Sequence, residues 1–310
     1  MNIMSASDAS KKSGIPVRTI YDKIEKKLIK NHGDEKKILV NYSEVLLHKK
    51  IVILMYNMKG GVGKTTTASL LSFYFANKGY KVLGVDLDPQ ENFTSTFGNI
   101  NKEKPTLYNF LDKFAVVENK KQILEATVQN VAPNLDVIPS NINLSDYHDL
   151  QLEKIETLKE TFYSVFDKYQ IVILDCPPTF TGFTKLGIML SNYIFVPLYP
   201  DTFSYDGIKY TFKKMDLILK FNRDFIDFRA YLNRIKSRDT SIKQYYSDEM
   251  RTTLEGKMFE NFIPEYGYID EVHATKENLF EVYKKHKNTL AILTLFKEIE
   301  DYIYEVKVNE

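Results

Sequence analysis

Residues 51–68 read IVILMYNMKGGVGKTTTA. The opening apolar run suits a strand buried on both faces, the glycines a tight turn, and the threonines the start of a helix expected over 65–77. The loop nearly fits the phosphate-binding pattern G-x-x-x-x-G-K-[ST], with two departures. Met58 stands where the first glycine belongs, and a second lysine, Lys59, precedes the usual one at Lys64. In such a loop Gly60, Gly61, Val62 and Gly63 bring backbone N–H groups up to phosphate oxygens, and the helix N-terminus adds partial positive charge. Lys64 is then expected to reach the β- and γ-phosphates of a triphosphate and the Thr65 hydroxyl to ligand Mg²⁺, with Thr66 ending the cradle.

Further buried-strand patterns lie at 81–85, 135–138, 171–174, 193–196, 228–232 and 258–263, most of them separated by helical stretches. That alternation predicts an α/β fold, a mainly parallel, doubly wound sheet whose ligands sit at the carboxyl ends of the strands. Asp175 closes the run 171–174 at such an end, where a carboxylate can hold magnesium through a water. Asp86 and Asp88 close another, two residues apart and so on one side of an extended segment. One can assist the metal and the other orient an attacking water, or either can simply cap the turn that follows.

Composition sets the outer limits. With 44% hydrophobic and 27% charged residues in 310, the chain reads as an ordinary soluble globular protein of one large or two unequal domains. The only cysteine, Cys176, leaves no intramolecular disulfide, cysteine-ligated zinc site or four-cysteine cluster within one chain, which suits a reducing cytoplasm. No signal core occurs in the first twenty residues, and no apolar run approaches the length that spans a bilayer.

Charge divides the chain unevenly. Residues 1–50 carry 11 Lys/Arg against 6 Asp/Glu, a net +5 on a protein whose total is +1. A basic head points to a nucleic-acid partner or, more blandly, to a solvated lysine-rich surface. Within it Ser5 to Asp8 supply capping residues for a short helix, Ser13-Gly14 a turn, and Pro16 the start of a second helix over 17–26. This is the order of a helix-turn-helix, whose second helix would present Arg18, Thr19, Tyr21, Asp22 and Lys23 to DNA. Ile15, Ile20, Ile24 and Leu28 fall at helical spacing as a buried seam. Gly33-Asp34 between Ile29 and 38–40 suggests a small hairpin, or wing, and Tyr42 to Val45 a linking helix. The segment G-I-P-V-R-T-I-Y resembles the MerR-like winged helix-turn-helix; a small helical cap without DNA binding is the alternative. The expected domains are therefore 1–50 and 51–310.

Three motifs of the body carry a second resemblance. K-G-G-V-G-K-T-T-T-A at 59–68, V-D-L-D-P-Q-E-N-F-T-S-T-F-G at 85–98, and I-L-D-C-P-P at 173–178 followed by V-P-L-Y-P-D at 196–201 are similar to the ParA/Soj partition ATPases, of the deviant Walker A class that includes MinD. The resemblance implies a Mg-dependent ATPase that ATP closes into a homodimer. In this class the lysine matching Lys59 reaches across to the phosphates bound by the other subunit, the task of an arginine finger elsewhere. It further implies that Asp88 positions the lytic water, that Asp86 and Asp175 lie on the magnesium side, and that Asn233 and Pro264 contact adenine. The implied partners are DNA, bound without sequence preference, and a ParB-like centromere-binding protein. Lys209, Lys213, Lys214, Arg223, Arg234, Lys236, Arg238 and Lys243 lie where relatives present that DNA surface. A cytoplasmic, nucleoid-associated protein follows. The chain ends on carboxylates, not on the basic amphipathic helix of MinD-like proteins, so no membrane partner is expected. Leu290, Leu293, Phe296, Ile299 and Ile303 mark a core-packing helix near that end. A transcriptional regulator switched by nucleotide, with negligible turnover, is the alternative function.

Overall fold

The structure is a computed structural model and describes residues 3–305 except 14, 16, 28, 35–36, 42–44, 46–49, 237–240 and 266. Gly14, Pro16, Leu28, Arg238 and most of the expected linking helix at 42–45 therefore lie outside the described residues. The chain separates into two compact units, one of residues 51–299 and one of residues 1–50 with 300–310.

In the smaller unit, β1 (Ile3–Ser5) leads into α1 (Ala6–Ser13) and α2 (Val17–Glu25), and β2 (Leu39–Asn41) returns antiparallel to β1. The Ser5 hydroxyl accepts the Asp8 amide at 3.0 Å, the N-cap bond anticipated for α1. Ile20 and Ile15 are buried with Ala9, Ile29 and Val40, and Ile24 packs against them. Arg18, Tyr21 and Asp22 are exposed, whereas Thr19 and Lys23 are half-buried. The expected wing takes a different form. The 29–40 segment closes through the single bridge Asn31↔Val40, and β2 takes as its strand partner β1, which is distant in sequence.

The larger unit is built on β3 (Ile51–Met55), β4 (Val82–Asp86), β5 (Gln129–Ala132), β6 (Leu135–Ile138), β7 (Ile171–Asp175), β8 (Tyr193–Leu198), β9 (Asp227–Ile235) and β10 (Ile263–Pro264). They form one sheet in the order β10-β9-β8-β3-β7-β4-β6-β5, parallel except for β5 against β6. Every residue of β3, β4 and β7 is buried, as continuous apolar runs require when helices cover both faces. Each buried Val, Leu or Ile there contributes roughly 1.5–3 kcal/mol. The helices after β3 are α3 (Lys64–Asn77), α4 (Asn92–Ser95), α5 (Leu107–Lys113), α6 (Lys120–Ala126), α7 (Leu152–Phe166), α8 (Gly182–Leu190), α9 (Thr202–Leu219), α10 (Ser241–Thr253), α11 (Tyr268–Thr275), α12 (Leu279–Val282) and α13 (Lys287–Glu305). No described helix is long and apolar enough to cross a membrane.

Two expectations need correction. The 258–263 run is a strand only at its end. Met258 makes a lone bridge to Ala230, and regular pairing starts at Ile263. In α13 the buried face is Ile292, Leu295, Phe296, Ile299 and Ile303, while Leu290 is 51% exposed and Leu293 half-buried, so the apolar stripe is rotated at its start from the one the spacing suggested.

Candidate nucleotide site

The loop between β3 and α3 is held by its own sequence. Gly61 and Gly63 adopt φ of +73° and +90°, a region that side chains with a Cβ disfavour. A Cβ at Gly63 would also collide with the Asn233 amide. Met58 has no such backbone, and its side chain packs against the apolar core. Position 58 therefore does not require glycine, and methionine anchors the loop's entry by burial. Asn57 braces that entry from beneath, donating to Pro197 O at 2.8 Å and accepting the Lys59 amide at 2.9 Å.

A cleft of about 710 Å³ opens at the carboxyl ends of the strands. Gly60, Gly61, Gly63, Lys64, Thr65 and Thr66 line it, facing Asp88, Asn233 and Pro264 from three other segments. Val62 turns inward and is buried, and its carbonyl accepts the Asn233 side-chain amide at 2.6 Å. Asn233 thus braces the loop as well as lining the cleft. The Lys64 ammonium donates to the Lys59 carbonyl at 3.1 Å, and burial lowers its pKa. A buried ammonium at the head of a helix, ringed by loop amides, is complementary to phosphate oxygens.

Beneath the loop two carboxylates stand side by side, because Asp86 and Asp175 are register partners on β4 and β7. Both are fully buried, and burial raises both above the ordinary carboxylate range, Asp86 to about 7. The neighbouring charge of Asp86 raises Asp175 further. Asp175 Oδ2 accepts the Thr65 hydroxyl at 2.7 Å, while its Oδ1 is buried with no hydrogen-bond partner among the described residues. A hydroxyl and an orphaned carboxylate oxygen at the foot of a phosphate loop fit Mg²⁺, which binds through few protein oxygens and completes its shell with water and phosphate. No cluster of three metal-binding side chains occurs among the described residues. Asp86 is committed differently: its oxygens take the Asp88 amide at 3.0 Å and the Thr94 amide and hydroxyl at 2.8 and 2.7 Å. In this structure it braces the Asp88 loop.

Lys59 is turned away from the cleft. Its ammonium lies 2.6 Å from Asp201 and 5.8 Å from the Tyr199 ring centre. Arg234 and Lys243 also lie over that ring, at 5.5 and 4.5 Å. Asp201 ends the V-P-L-Y-P-D motif, but its contact with Lys59, across 142 positions, has no local signature. Arg234 and Lys236 both pair with Glu265, which removes part of their charge from the surface anticipated for DNA.

A family model described as an AAA domain matches residues 50–227, more than half of the chain. The chain belongs to the ParA/MinD-type P-loop ATPases. It is 31% identical over 217 residues to the chromosome-partitioning ATPase Soj of Treponema pallidum, covering 65% of this chain and 81% of that one. To the chromosome partitioning protein ParA of Caulobacter vibrioides it is 26% identical over 258 residues, covering 80% and 93%. A crystal structure of a plasmid partition protein from Borrelia burgdorferi superposes with a TM-score of 0.59 at 26% identity, over 76% of this chain and 99% of that one. The family match ends before Asn233 and Pro264 and leaves the basic head outside it. Within this ParA/MinD-type ATPase the phosphate loop, Asp88 and Asp175 all fall inside the matched span.

Proposed function

We propose that this chain is an ATP-hydrolysing partition switch: ATP with Mg²⁺ closes a homodimer, the dimer holds DNA without sequence preference, and a ParB-like partner stimulates hydrolysis and release. The convergence of Lys64, Thr65 and Asp88 on one cleft above the orphaned oxygen of Asp175 carries this reading. Lys64 exchanges the Lys59 carbonyl for phosphate oxygens, and the loop amides hold the rest of the triphosphate. Thr65 and Asp175 would hold the cation, which when bound neutralises charge on the β- and γ-phosphate oxygens. Asp88 orients the attacking water. Partition proteins among the relatives support the biological role, and the exposed Arg18, Tyr21 and Asp22 of α2 support a head that reads operator DNA.

Steady-state ATP hydrolysis and particle mass, each with and without Mg²⁺ and duplex DNA, test the proposal. ATP-dependent doubling of mass with DNA-stimulated turnover supports it; an ATP-loaded chain that remains single and hydrolyses nothing defeats it.

The Lys59–Asp201 pair gives the switch a resting position. To reach a neighbour's nucleotide, Lys59 must leave Asp201, so the pair opposes dimer closure. Both side chains are about 30% exposed, which limits the pair to the modest strength of a solvent-screened bridge. Asp201→Asn is therefore expected to raise ATP-dependent dimerisation by no more than roughly thirtyfold, since two such pairs open per dimer and each contributes up to about 1 kcal/mol. Sedimentation across a concentration series reads this directly, and weaker dimerisation would show that Asp201 helps the closed state instead.

A further inference from the structure

Asp88 is expected to orient water, yet its own loop needs orienting, and one side chain without a role so far does this. Thr94, in α4, is buried and does not line the cleft. Its hydroxyl and amide both donate to Asp86 Oδ2, at 2.7 and 2.8 Å, and its hydroxyl oxygen accepts the Ser140 amide at 3.0 Å. The other Asp86 oxygen accepts the Asp88 amide at 3.0 Å. A continuous hydrogen-bond chain therefore runs from Ser140, just past β6, through Thr94 and Asp86 to the peptide nitrogen of Asp88.

A second tether lies alongside. Glu91, at φ +59°, sits in the left-handed region that glycine prefers, and its Oε1 accepts the Ile142 amide at 2.9 Å. Between the two tethers Asp88 Oδ1 accepts the Gln90 amide at 3.0 Å. A strained, twice-anchored turn is over-determined by its surroundings, which is what a carboxylate with a fixed aim requires.

We propose that Thr94 is a positioning residue for hydrolysis, fixing the Asp88 peptide, through Asp86, against the chain segment at 140–142. The inference rests on Asp88 acting on the water. Because Thr94 touches no surface of the cleft, its loss should lower turnover and leave nucleotide affinity alone; a merely structural role would move both or neither.

The test compares wild type, Thr94→Val, Thr94→Ala, Thr94→Ser and Asp88→Ala in the full chain. Steady-state ATP hydrolysis, binding of a fluorescent ATP analogue with Mg²⁺, and hydrogen exchange of the peptide spanning 87–91 are measured. Thr94→Val and Thr94→Ala are expected to lose roughly tenfold or more in kcat, with affinity within about twofold of wild type and faster exchange at Asp88 and Gln90. Thr94→Ser, which keeps the hydroxyl, is expected to restore both turnover and slow exchange. Wild-type kcat in Thr94→Val and Thr94→Ala, equal losses of affinity and kcat, or no rescue by serine would overturn the inference. Wild-type turnover in Asp88→Ala would overturn the assignment of Asp88 itself, and that control separates the two failures. Thr94→Ala places no methyl group against the Asp86 carboxylate and decides the question should the valine variant not fold.

Discussion

Asp88→Ala is expected to bind ATP and pair as the wild type does, yet to hydrolyse ATP at least roughly 100-fold more slowly, the usual loss when a proton-accepting or water-orienting group is removed. The structure gives reasons for the split. The side chain of Asp88 lines the cleft, whereas the loop's grip on phosphate comes from Lys64 and the backbone of residues 60–66. Among the described residues the Asp88 carboxylate accepts the Gln90 amide, so its removal frees one local turn bond and leaves the phosphate loop intact. Nucleotide affinity by fluorescence and turnover by phosphate release check the two halves separately. An equal fall in both would place Asp88 in binding.

Lys59→Ala is expected to have the larger effect, a loss of roughly 1,000-fold or more in partner-stimulated turnover, since a cation supplied to the transferred phosphoryl group is worth about 10³–10⁵ in rate. Its own nucleotide should still bind. In the single chain the Lys59 ammonium is held by Asp201 and the Lys64 ammonium caps the loop, so only Lys64 is placed against phosphate on its own subunit. Single-turnover hydrolysis under saturating ATP measures the rate, and retention of wild-type turnover would reduce Lys59 to a surface lysine paired with Asp201.

Much of this site is legible in the sequence because its parts are local. The strand, loop and helix of 51–77 follow one another without a gap, and continuous burial on both faces leaves an unbroken apolar run. Asp86 and Asp175 could be placed because each ends such a run. What the sequence did not disclose is pairing at a distance. Strand β1 finds its partner at residues 39–41, and β5 is a four-residue edge strand, alternately buried and exposed, too short to stand out. Asp201 under Lys59 and Thr94 behind Asp86 are set by tertiary folding, and a threonine in a polar stretch carries no periodic mark. The puzzle of Met58 resolves the same way: its conformation and its burial, not a motif, explain the residue.

A mixing experiment asks most directly whether Lys59 serves the neighbour. Lys59→Ala and Asp88→Ala each leave a defective enzyme, but in a mixed dimer the nucleotide on the Lys59→Ala subunit keeps its own Asp88 and faces an intact Lys59 from the other chain. With equal amounts of two-fold symmetric dimers exchanging freely, roughly a quarter of wild-type turnover should return. If Lys59 acts on its own subunit's nucleotide, neither site of the mixed dimer is complete, and the mixture will show only the average of the two inactive parents.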